Sequence, residues 1–335
     1  MTTIKDVAAQ AGVSIKTVSR VLNDEAGVAE ATRQRVKETI QELGYVPNLS
    51  AQRLRRGKSK LLTLILPRVK SPYATQIFSC ILAEVRIRDY SLLTLEGVID
   101  EGASNIDQLG RVIKNHRVDG VIVAPPGADR TALMNFLKQN NVPYVIINPN
   151  ILNAHPFSIE STDQIGAYEA IQYLIELGHN RIAHIACLET ERFSRERKIG
   201  YLRAMEDAGL EFESFIFQGD NSIESGYNVA LEFLNLVDPP TAVFAGNDEM
   251  AIGTILAALH LGLTIPGDLS VVGFDNAASS NWSFPRLTTV AQPIAEIAQV
   301  SVGKLLDFVE KPHTRREHIQ IQTQLIVRDS CGVPS

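Results

Sequence analysis

Apolar residues recur with two different periods along this chain. From Ile4 to about Leu43 they return every three or four positions, the spacing of one helical face. Beyond Leu61, short runs rich in Leu, Ile and Val alternate with helical stretches. In the first segment Ile4, Val7, Ala8 and Ala11 share a face, and Val18, Val21 and Leu22 share another. Thr3 is placed to cap the first helix, with Asp6 three residues on, and Ser14 to cap the second. Gly12 supplies the permissive backbone of the turn between them. The spacing predicts a helix-turn-helix, whose second helix fits the major groove of DNA. Ile15, Lys16, Thr17, Ser19 and Arg20 are left pointing outward. Two short amphipathic helices are often only structure, so the flanking sequence has to decide.

A third helix is predicted from about Glu30 to Leu43, ended by Gly44. Ala31, Val36, Ile40 and Leu43 give it a face to cover the first two. Arg33, Arg35 and Lys37 read as a solvated face, with a phosphate contact open to one or two of them. Pro47 stops the chain and Asn48 can cap a short helix through Arg56, closed by Gly57. Eight or nine residues do not sustain an isolated helix in water. The expectation is a linker that folds when something holds it, and Arg53, Arg55 and Arg56 point to DNA. Leu54, apolar among arginines, has the character of a minor-groove wedge; the plainer alternative is a contact with its own core.

In the body, strands are expected at 61–66, 91–95, 120–124, 143–148, 181–186, 214–217, 241–245 and 270–274. Helices are expected near 74–88, 105–116, 130–140, 163–177, 195–208, 223–236 and 248–261. This alternation means βαβ units and parallel sheets. The count suggests two doubly wound sheets, changing over near residue 160 after the loop at 150–156. Two open α/β domains in series leave a cleft at the carboxyl ends of their strands. Ser71, Tyr73, Asn148, Arg197, Asn247, Asp275 and Gln292 all sit where a strand stops. Arg197 offers a planar fork of donors, Asp275 accepts and Asn247 does both, the groups that clasp vicinal hydroxyls of a sugar. An Arg197–Asp275 ion pair of purely structural role is the alternative. Asp248 is expected to cap the helix that follows it.

The stretch from Thr3-Ile4 through Leu22-Asn23, then Tyr45-Val46-Pro47-Asn48 and Ala51 with Leu54, resembles the LacI/GalR family of bacterial transcription regulators. Arg197 with Gly200 and Tyr201, and Leu287 to Val290 with Gln292, extend the resemblance through the body. It implies a homodimer on a near-palindromic operator. Ile15, Lys16 and Arg20 would read bases, Ser14, Thr17 and Ser19 would lie nearer phosphates, and Leu54 would pry open the central step. Thr3, Asn48, Ala51 and Arg55 complete the implied DNA contacts. The implied organisation is a helix-turn-helix domain at 1–46 and a hinge helix at 47–59. A periplasmic-binding-protein-like core follows, with one subdomain at 60–160 and 290–320 and the other at 161–289 and 321–335. The effector cleft lies between them. Two positions depart from the family. Ala29 replaces the usual capping Ser or Thr of the third helix, a loss of about 1 kcal/mol. Asn221, a further candidate for effector binding, stands where many sugar-binding relatives carry an aromatic ring, so stacking on a sugar face is lost there. Arg68 and Lys70 near the expected cleft mouth leave an acidic sugar or sugar phosphate open.

Charge fits this division. The chain carries a net −6, but residues 1–60 hold 11 basic and 6 acidic side chains, a net +5, and the rest a net −11. A basic reader on an acidic body suits a duplex-binding protein. The three cysteines are odd in number and lack metal-site spacing, as in reduced thiols of a cytoplasmic protein. No signal peptide or spanning segment is read, so a cytoplasmic, nucleoid-associated regulator is expected, with no metal and no cofactor beyond a small effector. No nucleophile elbow, phosphate-cradling glycine loop or paired His and nucleophile points to an enzyme. His179 reads as a helix end. The competing readings are a purine-, sugar-acid- or phosphate-responsive member of the same family, and a transport or sensing sugar-binding protein.

Overall fold

The computed structural model describes residues 2–45, 59–66, 71–96, 102–125, 131–151, 155, 157–211, 215–311 and 317–335. They belong to two units, residues 1–59 and 60–335.

The first unit holds α1 (Ile4–Gln10), α2 (Ile15–Leu22) and α3 (Glu30–Glu42). The Thr3 amide and hydroxyl both donate to Asp6 Oδ2, at 2.8 and 2.7 Å. These bonds hold the Asp6 carboxyl below its usual range. Ser14 Oγ accepts from the Thr17 amide at 3.1 Å, capping α2. Gly12 makes the intervening turn at φ +64°. Val7, Ala8, Ala11, Val18, Val21 and Val36 close the core of the three helices. Ala29 gives α3 no side-chain cap. The Tyr45 amide donates back to the Ile40 carbonyl at 3.0 Å, with Gly44 left-handed, and ends α3. Arg33 corrects the solvated-face reading. It donates to Asp24 Oδ1 at 2.7 Å and to the Glu25 carbonyl at 2.8 Å, and so ties α3 to the loop after α2.

The second unit contains two six-stranded sheets. The first is built from β1 (Leu61–Leu66), β2 (Ser91–Glu96), β3 (Gly120–Val123), β4 (Tyr144–Ile147), β5 (Phe157–Ser161) and β11 (Glu317–Ile321). Its order is β11-β5-β4-β3-β1-β2, parallel throughout. The second holds β6 (Ile182–Ala186), β7 (Ile216–Gln218), β8 (Ala242–Ala245), β9 (Ser270–Asp275), β10 (Thr288–Ala291) and β12 (Gln324–Ile326). Its order is β12-β10-β9-β8-β6-β7, with only β12 antiparallel to its neighbour β10. Helices between the strands cover both sheets: α4 (Pro72–Ile87), α5 (Gly102–His116) and α6 (Thr131–Gln139) belong to the first lobe. The second lobe has α7 (Asp163–Glu176), α8 (Arg192–Asp207), α9 (Ile223–Leu234) and α10 (Asp248–His260). The long α11 (Ile294–Glu310) returns to the first lobe, where Ile297, Val302 and Leu305 join its core.

The chain therefore passes between lobes after β5, after β10 and after β11. The three passages are hydrogen-bonded together. The Thr162 amide donates to the Ile321 carbonyl and the Thr323 amide to Thr162 Oγ1, both at 3.0 Å. Ser161 Oγ lies 3.1 Å from Gln292 Oε1.

Strand β5 is absent from the hydrophobic pattern because Ser158, Glu160 and Ser161 interrupt it, yet all five residues are buried. Each polar group has a partner. Ser158 Oγ meets His318 Nδ1 at 2.8 Å, and Glu160 accepts from Gln320 Nε2 at 2.6 Å and from Arg192. Burial works against the Glu160 carboxylate, but these donors hold its pKa below the usual range.

Candidate functional site

In each sheet the first strand lies between the second and third, with β1 between β2 and β3 and β6 between β7 and β8. Crossovers leave such a pair in opposite directions and open a crevice at the carboxyl ends. The two crevices face one cavity of about 200 Å³. Its lining includes all eight residues singled out for ligand contact: Ser71, Tyr73, Asn148, Arg197, Asn221, Asn247, Asp275 and Gln292.

Arg197 lies in the floor, with its side chain 3% exposed. Its Nε donates to Asp163 Oδ2 at 2.9 Å, Nη2 to Asp275 Oδ1 at 3.4 Å, and Nη1 to the Gly246 carbonyl. The guanidinium also stacks 3.7 Å from the centre of the Phe274 ring. Burial alone would lower its pKa, but Asp163 and Asp275 more than offset that and raise it. Gly200, one turn on, lets α8 approach α7. A Cβ there would fall on the Gln164 carbonyl oxygen and lie 2.9 Å from the Tyr168 amide. Tyr201 anchors the same helix by donating from its hydroxyl to the Ile182 carbonyl at 2.8 Å.

Asp275 accepts from Gln292 Nε2 at 2.8 Å. Burial raises its carboxyl above the usual range despite the adjacent Arg197. Asn148 accepts from the Ser161 amide at 3.1 Å through Oδ1. Asn148, Asn221 and Asp275 all have positive φ, at 45°, 73° and 111°. Left-handed backbone at three side-chain-bearing positions of one cavity is stored strain, as binding sites often carry.

Among the described residues, two oxygens lining this cavity are buried without a hydrogen-bond partner: Tyr73 Oη and Asn221 Oδ1. Burial pushes the Tyr73 hydroxyl well above its ordinary pKa, so it stays protonated. Such orphans are costly unless a ligand completes them. The capping expectation is corrected. Asn247, not Asp248, caps α10, accepting from the Met250 amide at 2.9 Å. Its Nδ2 donates to the Asn221 carbonyl at 3.0 Å, so both ends of that amide are already engaged. Asp248 also lines the cavity, but its carboxylate is committed, accepting from the Ala277 amide at 2.7 Å and from the Thr289 hydroxyl.

The lining also includes Glu249, within the stretch 246–251 expected at the cleft, and Pro125, Cys187, Phe193 and Ala277, which sequence reasoning did not single out. Asp163 was missed for a definite reason: it follows β5, and an unrecognised strand hides its own carboxyl end. His179 is structural, with its ring between Thr241 Oγ1 at 2.9 Å and the Gly332 carbonyl at 2.9 Å. Among the described residues no His, Cys, Asp and Glu cluster could hold a metal ion. No described helix is long and apolar enough to cross a membrane.

In the first unit Ile15 is 38% exposed and Lys16 is exposed. Lys16 and Arg20 have no ion-pair partner among the described residues, so their charges are uncommitted. Thr3 and Ser14 are spent on caps, and Thr17 Oγ1 lies 2.9 Å from Ser14 Oγ. Ser19 lies 3.5 Å from Asn23 Nδ2. Asn48, Ala51, Leu54 and Arg55 lie outside the described residues, as do Arg68 and Lys70.

A helix-turn-helix on the same chain as a two-lobed α/β body whose cavity presents Arg197, Asp275 and Gln292 defines a DNA-binding regulator that holds a small molecule. Residues 3–48 match the bacterial regulatory proteins of the lacI family, and residues 171–331 a periplasmic binding protein-like domain. The chain is 34% identical to the "Probable HTH-type transcriptional repressor ExuR" of Bacillus subtilis (strain 168), with 98% of each chain covered. It is also 34% identical to the HTH-type transcriptional repressor PurR of Proteus mirabilis (strain HI4320), over 99% of this chain and 97% of that one. The lac repressor dimer bound to operator and the anti-inducer ONPF superposes with a TM-score of 0.87 at 28% identity, covering 99% of both chains. The transcriptional regulator CelR in complex with cellobiose gives 0.73 at 29% identity, over 98% of this chain and 100% of that one. The chain belongs to the LacI family of bacterial transcription regulators. These relatives are DNA-binding regulators, not enzymes.

Proposed function

We propose that the protein is a repressor of carbohydrate-utilisation genes that binds a palindromic operator as a dimer, with affinity set by a sugar-class effector in the inter-lobe cavity. One helix-turn-helix reads a short half-site, so specificity needs two. Lys16 and Arg20 would contact guanine or phosphate, and Ile15 a thymine methyl. Residues 47–59 would pair as hinge helices on DNA, with Leu54 at the central step.

The observation that carries the effector reading is the pairing of donor and acceptor groups around one cavity of about 200 Å³. That is below the roughly 300–1,000 Å³ of drug-sized sites, which suits one monosaccharide-sized ligand. Arg197, Asp275 and Asn148 would hold ring hydroxyls, and Tyr73 Oη and Asn221 Oδ1 would gain the partners they lack. Asp275 and Gln292 connect this site to the passages between lobes, so a ligand that prefers one lobe arrangement would shift DNA affinity.

The test is selection of sites from random duplex DNA by the purified protein at moderate salt. The expected product is one palindrome, lost in Arg20→Ala. A sugar screen against that duplex then seeks a ligand that changes its affinity. Recovery of no sequence, with or without cell extract, would refute the regulatory reading.

A further inference from the structure

The charge of the cavity selects the ligand further. Among the described residues Arg197 is its one basic lining residue, and Asp163 and Asp275 already take that charge. Glu249, in the first turn of α10, also lines the cavity. It is half-buried, and its carboxylate makes no hydrogen bond or ion pair among the described residues. The helix N-terminus favours an acid at this place, but it does not supply the donors that a half-buried carboxylate needs. Burial, and then Asp275, raise its pKa, as expected of an uncompensated negative site.

A second observation is independent of charge. Asn221 Oδ1 is an acceptor without a donor, and the Asn221 carbonyl is bound to Asn247, two residues before Glu249. This side of the cavity therefore presents two unengaged acceptors, the Glu249 carboxylate and Asn221 Oδ1, and only the Asn221 amide nitrogen as a donor beside them. An anionic ligand would add acceptors and negative charge to it. An ammonium group brings three donors and a positive charge.

We propose that the effector is an amino sugar, with its ammonium group held by Glu249 and Asn221 Oδ1 and its ring hydroxyls by Arg197 and Asp275. This rests on the sugar reading above and narrows it. The full-length protein is titrated calorimetrically at pH 7 with glucosamine, galactosamine and mannosamine, with the parent hexoses, and with glucuronate and galacturonate. The expected result is one amino sugar bound at least tenfold more tightly than its parent hexose, with the uronates not bound. In Glu249→Gln the ratio of amino sugar to hexose affinity falls towards one. A hexose or uronate bound as tightly as the amino sugar overturns the proposal, as does a ratio that survives Glu249→Gln. The wild-type ranking decides the matter even if that variant folds poorly. Unbiased binding of hexoses and amino sugars refutes the amine alone. Binding of none of these compounds refutes the amine and the sugar reading together.

Discussion

Arg197 Nε lies 2.9 Å from Asp163 Oδ2, and this buried pair is one link of a closed ring. From Asp163 the ring passes to Ser161 Oγ, to Gln292, to Asp275 and back to Arg197. Ser161, the last residue of β5, and Gln292, the first after β10, stand at the start of two of the three passages between lobes. The hydroxyl has one proton, so it donates to Asp163 or to Gln292 Oε1 at a given moment. A ligand that draws on Arg197 or Asp275 therefore competes for the same donors that join the lobes. That is a physical route from occupancy to lobe arrangement.

Arg197→Lys tests the ring. A lysine cannot fork to two carboxylates and the Gly246 carbonyl, nor stack flat on Phe274. Leaving a buried carboxylate underpaired is expected to cost about 3–5 kcal/mol. Thermal or denaturant unfolding of the core measures this, and calorimetry is expected to show effector binding lost. An unchanged melting curve would mean that the pair adds little to the fold.

Gly200→Ala tests how α8 is seated. The added methyl meets the α7 backbone, which cannot move aside as a flexible side chain would. Overpacking of this kind costs about 1–3 kcal/mol. The shift of α8 is expected to displace Arg197 as well, so stability and effector affinity fall together. Loss of stability with full effector affinity would separate the two.

Arg20→Ala acts at the other end of the chain. Arg20 has no ion-pair partner among the described residues, so its removal is expected to leave unfolding unchanged. Specific duplex binding is expected to fall to the salt-sensitive level of random DNA. By contrast, Ala29→Ser supplies the missing cap of α3 and is expected to stabilise the first unit by about 1 kcal/mol. Hydrogen exchange of the α3 amides reports it.

Acid is expected to weaken the core through His184. The ring is buried between Tyr201 and Phe244, and Nδ1 donates to the Phe244 carbonyl at 3.0 Å. Burial lowers its pKa from 6.5 to about 4. Burial lowers that of His179 too. The unfolded chain binds these protons first, so stability is whole above about pH 6.5 and is lost as pH falls towards 4. His184 accounts for as much as about 3 kcal/mol of that loss. In His184→Phe the slope of stability against pH over this window is expected to shrink.

What could be read from sequence follows from local physics. Strands such as Tyr144–Ile147 and Ala242–Ala245 are buried on both faces and appear as unbroken apolar runs. Gly12, Gly44 and Ser14 mark turns and caps that depend only on their neighbours. Strand β5 was not legible, because Glu160 is made buriable by Arg192 and Gln320, which are 32 and 160 residues away. The passages between lobes were suggested by resemblance and not by any local pattern. Within the site, polar residues at the ends of recognised strands were found, and Cys187 and Phe193, whose side chains carry no group that clasps a hydroxyl, were not. Asn247 against Asp248 as the cap was a choice between adjacent residues, and only backbone geometry settles it.

The central claim is that occupancy of the cavity sets DNA affinity. The direct measurement is fluorescence anisotropy of the selected palindrome, titrated with protein in the absence and presence of saturating ligand. The prediction is a Kd change of roughly 5- to 150-fold for the wild type, and no change for Asp275→Asn. Equal affinities with and without ligand, at a concentration that calorimetry shows to fill the cavity, would contradict the account.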